Sequence, residues 1–128
     1  MRTQTATVFR SGSGSTGILI NISFYGAILL RVHLCASWAS AGTAGSAWLA
    51  LSNTLVVGAL SDFASTGYDN LPGVICALPL ETSAGAGPTN SQMLFDFSPG
   101  IAVGQVQLWI SHTGGVSTGR GSAILVFQ

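Results

Sequence analysis

The chain contains no lysine, and charged side chains make up only 6% of its 128 residues. Four arginines (Arg2, Arg10, Arg31, Arg120) balance four acids (Asp62, Asp69, Glu81, Asp96), so the formal net charge is zero. Binding a phosphate backbone takes clustered Lys and Arg, because affinity comes from displaced counterions. Scattered, balanced arginines make no such cluster, and no nucleic-acid partner is expected. Met1–Arg10 is apolar or hydroxylated apart from its two arginines and Gln4, which reads as a strand and not as a genome-packing arm.

Long apolar runs are missing too. The mean hydropathy of +0.55 raises the question of a membrane, but a spanning helix needs about 20 consecutive apolar residues. Arg31 ends the run Ala27–Leu30, and His33 interrupts Val32–Ala36. No apolar segment of the secretory-signal kind follows Arg2. The low charge of the loops argues against an outer-membrane barrel. No membrane partner is expected. Helical periodicity is equally scarce. Thr54–Ala64 is the one candidate helix, and Gly58 and the adjacent Val56 and Val57 disfavour it. Either a short helix or a strand suits it.

Glycine is abundant, 17 residues in all, and it clusters. Ser11–Gly17, Ala39–Ser46, Thr82–Ser91 and Thr113–Gly121 are rich in Gly, Ser, Thr and Ala, and read as loops. Between them lie short runs of Val, Ile, Leu and aromatics, the punctuation of an all-β chain. Strands are predicted at Thr3–Arg10, Gly17–Phe24, Ala27–Ala36, Ala47–Ser52, Leu55–Leu60, Val74–Leu80, Gln92–Phe97, Gln105–His112 and Ser122–Phe127. Tyr25-Gly26 is a tight break, and Asp69–Gly73 is a turn held by Pro72. The expected fold is a single domain, residues 1–128: an all-β, two-sheet antiparallel sandwich of about eight strands with little helix.

Period-two alternation assigns faces. Ile28, Leu30, Val32 and Leu34 are expected inside, with Leu29, Arg31, His33 and Cys35 outside. Val106, Leu108 and Ile110 are expected inside, with Gln105, Gln107, Trp109 and Ser111 outside. Leu29 and Trp109 are therefore the candidate interface residues, outward and apolar.

Chemical motifs are weak. Gly12-x-Gly14-x-x-Gly17 has the dinucleotide spacing, but a strand-like ILINISF follows where the pyrophosphate chemistry needs a helix. His33-x-Cys35 puts two metal-ligand types on one face, with Cys76 and His112 as distant partners. Structural zinc sites use two tight ligand pairs, and only one is present. Ser111, His112 and Cys76 have no spacing that selects a hydrolase. No cofactor, no metal and no catalytic residue is expected, nor an enzyme. Cys35 and Cys76 read as free thiols on apolar strands, since free Cys behaves as a small hydrophobe; a single disulfide is the alternative, with no spacing rule to support it.

The informative quantity is the surface. A 13 kDa monomer exposes roughly 6,300 Å², so eight charges leave very large neutral areas. A surface of this kind with no net charge tends to self-associate. An abundant assembly subunit is the economical reading. The segments GAILLRVHLCAS, GSAWLALSN, GQVQLWISH and GRGSAILVFQ resemble the small decoration or cement proteins of tailed phages in strand style, over most of the chain. The resemblance implies a jelly-roll-like β-sandwich on the outer capsid surface of a virion. It also implies a homo-oligomer whose partners are itself and a major capsid protein. It carries over no functional residue, and the near absence of charge departs from many such proteins. Another coat, tail or fibre subunit is a variant of this reading. The rival is a lectin-like or adhesin-like β-sandwich binding module using Trp109 or the glycine-rich loops.

Overall fold

The computed structural model describes residues 1–12, 14–40, 45–53, 73–82, 89–112 and 116–128. They form β1 (Arg2–Ser11), β2 (Gly14–Asn21), β3 (Ile28–Ser40), β4 (Gly45–Ser52), β5 (Val74–Thr82), β6 (Thr89–Ala102), β7 (Gln105–His112) and β8 (Val116–Phe127). The described residues contain no helix. The strands make two four-stranded antiparallel sheets, in the orders β1-β8-β3-β6 and β2-β7-β4-β5.

This order has a simple origin. β1 pairs with β8, β2 with β7, β3 with β6 and β4 with β5. That is one long antiparallel hairpin of the whole chain. Rolling it up brings β3 against β8 and β4 against β7. Those four strands become central, and β1, β6, β2 and β5 become edges. The result is a jelly roll, two Greek keys closed into a sandwich.

Alternation places the core. Leu49, Leu51, Leu78, Val106, Leu108 and Ile110 of one sheet face Val32, Leu34, Trp38, Leu125 and Phe127 of the other, all essentially inaccessible to water. The expected inward set of β7 is observed in full. In β3 the expectation fails at the start of the strand. Leu29, expected outside as an interface residue, is 0% exposed, while Ile28 and Leu30 are only partly buried. The reason is a β-bulge. Leu29 pairs with Phe127 and Arg31 with Val126, so Leu30 is the extra residue. An extra residue shifts the alternation by one, and Leu29 joins Val32 and Leu34 inside.

All four predicted loops are partly strand. Gly14–Gly17 opens β2, Val116–Gly121 opens β8, and Thr89–Ser91 opens β6. β3 likewise runs on to Ser40, and β6 continues through Pro99 as an edge strand, where a missing N–H is tolerated. The glycines were misleading because they serve packing. A Cβ on Gly121 would lie 2.4 Å from Leu49 Cδ1, and one on Gly119 within 2.8 Å of the Trp38 ring. The bare strand lets large side chains of the core reach its backbone. The Tyr25-Gly26 break lies where expected, between β2 and β3, with Gly26 at φ +67°. Leu55–Leu60, the helix candidate Thr54–Ala64 and most of the Asp69–Gly73 turn lie outside the described residues.

Two substitutions test this packing. Leu108→Ala should cost about 2–5 kcal/mol of unfolding free energy, as for other buried leucines. Gly121→Val should cost on the order of 1–3 kcal/mol by overpacking against Leu49. Urea unfolding followed by tryptophan fluorescence measures both. If Gly121→Val proved neutral, the close approach of β8 to Leu49 would be wrong.

Candidate functional site

The two outer faces of the sandwich differ in chemistry. On the β2-β7-β4-β5 sheet, the outward rungs read Ser15–Ser111–Trp48–Pro79, then Gly17–Trp109–Ala50–Ala77, then Leu19–Gln107–Ser52, then Asn21–Gln105. None of these residues is charged. Glu81 pairs with Ser46 near the end of the β5 edge. Trp109 points outward as expected and is half-buried. It packs with Trp48, Val74, Ala50 and Ala77 in a small apolar cluster outside the main core. Gly17 is its cross-strand partner, and the indole lies across the space a Cβ would fill, 2.4 Å from Trp109 Cε3. Gly17 is thus a seat for a ring, not part of a phosphate-binding loop. Trp109 Nε1 donates to Gln107 Oε1 at 3.1 Å. Leu19, diagonal to Trp109, is 46% exposed.

The β1-β8-β3-β6 sheet carries the described outward charges. Its outward rungs are Thr3–Val126–Arg31–Asp96, Thr5–Ile124–His33–Leu94, Thr7–Ser122–Cys35–Gln92 and Phe9–Arg120–Ser37–Asn90. Arg31 Nε donates to Asp96 Oδ1 at 2.6 Å, an exposed pair of a kind that contributes little to stability. The central strands β8 and β3 carry Ser122, Cys35 and Ser37, whose side chains are short. The face dips there between longer neighbours. The dip is an open groove of about 550 Å³ over the third and fourth rungs, reached by Thr7, Gln92, Asn90 and Arg120. His33 Nε2 lies 2.9 Å from Gln92 Oε1 and 3.5 Å from Cys35 Sγ, both of which line the groove. Alternation correctly put His33 and Cys35 on one outer face.

The other candidate groups do not join them. Cys76 lies inside the sandwich among core side chains, and His112 is 2% exposed at the end of β7. His112 Nε2 lies 3.4 Å from the Arg10 carbonyl, and its Nδ1 has no partner among the described residues. Ser111 is on the opposite face of β7 from His112 and accepts a hydrogen bond from Ser15. Among the described residues, no three His, Cys, Asp or Glu side chains converge. The groove itself was missed from sequence. Its residues are unremarkable Ser, Asn and Gln, and only the register of four strands drawn from both ends of the chain brings them together.

The two thiols are free and differ in environment. Burial pushes the Cys76 thiol up from 9.0 to about 12, because a thiolate there would lose its hydration. The raised value stabilises the fold fully below pH 9.0, and that contribution is lost as pH climbs toward about 12. Cys35 borders the groove. In native protein at pH 8, a small thiol reagent should therefore modify one cysteine, Cys35, and label Cys76 only after denaturation. Mass spectrometry of the labelled peptides checks this.

No protein-family model and no curated protein matches the chain. Among solved structures it is similar to a tomato aspermy virus structure at 12% identity and a TM-score of 0.49, covering 96% of this chain and 76% of that one. It is similar to a subunit of Bacillus endospore appendages, described as disulfide-linked pili, at 10% identity and 0.46, covering 97% and 84%. The Aeromonas hydrophila periplasmic lysozyme inhibitor PliG follows at 10% identity and 0.42, covering 98% and 86%. Likenesses this remote carry no argument about role, and the jelly-roll assignment rests on the strand order.

Proposed function

We propose that the chain is a structural subunit of a virus particle, an outer capsid decoration protein that clamps neighbouring capsid subunits as a homo-oligomer. The observation that carries this reading is the uncharged outer face of β2 and β7, where Leu19, Asn21 and Gln105 are exposed and Trp109 is half-buried; the outward Trp48, Ala50 and Ser52 of β4 are buried. The molecule exposes 6427 Å², which with eight charged residues leaves about 800 Å² for each. That is the area one partner contributes to a standard interface. A neutral face with aromatic and aliphatic side chains and amide groups suits a contact made by apolar burial and hydrogen bonds. Aromatic residues in such a position are the usual anchors of an interface. The jelly roll is compatible with this role, as it serves capsid and lectin domains alike.

Attachment of this kind survives salt, because screening weakens exposed ion pairs and leaves apolar contact intact or stronger. Sedimentation at low and high salt, alone and with assembled capsid shells, should reveal oligomers or shell-bound protein under both conditions. Leu19→Asp, at a half-exposed position, should release monomers or stop attachment with the unfolding midpoint unchanged. Trp109→Asp should do the same at some cost in stability, since its ring packs on Gly17. Leu29→Asp should unfold the domain instead, because Leu29 is buried. A protein that stays monomeric at micromolar concentration in all conditions, and ignores shells, would remove this reading.

A further inference from the structure

The groove on the β1-β8-β3-β6 face holds a cation that the rest of the molecule does not use. Arg2 stacks over the Phe24 ring at 4.4 Å. Arg10 donates to the Ser15 carbonyl and Thr16 Oγ1. Arg31 is paired with Asp96. Arg120 is exposed and has no hydrogen-bond or ion-pair partner among the described residues. Arg120 borders an open groove whose other lining residues include Ser37, Ser122, Asn90 and Gln92. Among the described residues, no carboxylate lines that groove.

We infer that this groove is a binding site for a carboxylate-bearing saccharide of the uronic or sialic acid type. The chemistry is specific in three respects. Hydroxyl and amide side chains both donate and accept, which matches sugar hydroxyls that do the same. A planar guanidinium meets a carboxylate with two parallel hydrogen bonds. One unpaired arginine without a nest of backbone N–H groups suits a single negative charge better than a phosphate dianion. On the same rung as Arg120 stands Phe9, 58% exposed, an apolar surface for the C–H face of a pyranose ring. The groove is wide and shallow across four strands, a shape for an extended polar ligand and not for an enclosed apolar one. His33, held against Gln92 Oε1, fixes the amide at the groove wall. Binding here uses the face opposite the neutral one, so it does not depend on the assembly role.

The test is a titration of isotope-labelled protein, followed by NMR, with sialyllactose and a digalacturonate, each against a neutral counterpart, lactose and digalactose. The expected result is shifts at the backbone amides of Ser37, Asn90, Gln92 and Arg120. The acidic sugar should bind about tenfold tighter than the neutral one at low salt, the order set by one charge-assisted bidentate pair. Arg120→Gln should abolish that preference, Gln92→Ala should weaken both ligands, and Arg31→Gln should change neither. Thermal melts of the variants confirm that the fold is kept. Equal affinity for acidic and neutral sugars overturns the assignment. So does the absence of shifts at about 10 mM ligand, where even a weak millimolar site is largely filled. An equal loss in Arg31→Gln and Arg120→Gln overturns it as well.

Discussion

Two sheets of branched side chains can close on each other only if bulk on one side meets room on the other, because a protein interior tolerates neither voids nor overlap. β8 supplies the gradient. Its inward positions run Gly119, Gly121, Ala123, Leu125, Phe127. At the glycine end the strand admits Trp38, Ile110 and Leu49. At the other end Phe127 fills the space itself and meets Phe24 edge to face, with ring centroids 5.1 Å apart. β8 lies between β1 and β3, so any misfit there would displace two neighbours. The groove and its arginine depend on that strand lying flat, because they are built on its other side.

The same dependence explains what could be read from sequence. Alternation in Val106–Ile110 is uninterrupted, and both the inward set and Trp109 followed from it directly. Alternation in β3 is interrupted at Leu30, and nothing in the local residues announces a bulge. The run Ile28-Leu29-Leu30-Arg31 fits either phase, and the phase is set by the partner strands β8 and β6. Leu29 was misassigned for that reason. The glycine-rich segments failed differently. Composition assigns Gly, Ser and Thr to loops, but in β2 and β8 the missing side chains make space for Trp109 and Leu49, a tertiary requirement invisible to local statistics.

Sheet count and strand number were accessible because punctuation is local. Strand order was not, since it is defined by pairings such as Arg2 with Phe127 that span the whole chain. The groove belongs to this second class. Thr7, Cys35, Gln92 and Ser122 come from four strands and share one rung only after the hairpin has been rolled.

The neutral outer face also fixes how a partner would arrive. A charged face bends the path of an approaching molecule and raises its arrival rate far above the unguided value. The rungs from Ser15 to Asn21 have no such field. Anything that docks there does so after unguided collisions, at about 10⁵–10⁷ M⁻¹s⁻¹. Selectivity on that side of the molecule then resides in how long a partner stays. The opposite face, where Arg120 has no partner among the described residues, favours anions before they touch. One small domain thus has one side that attracts at a distance and one that acts only on contact.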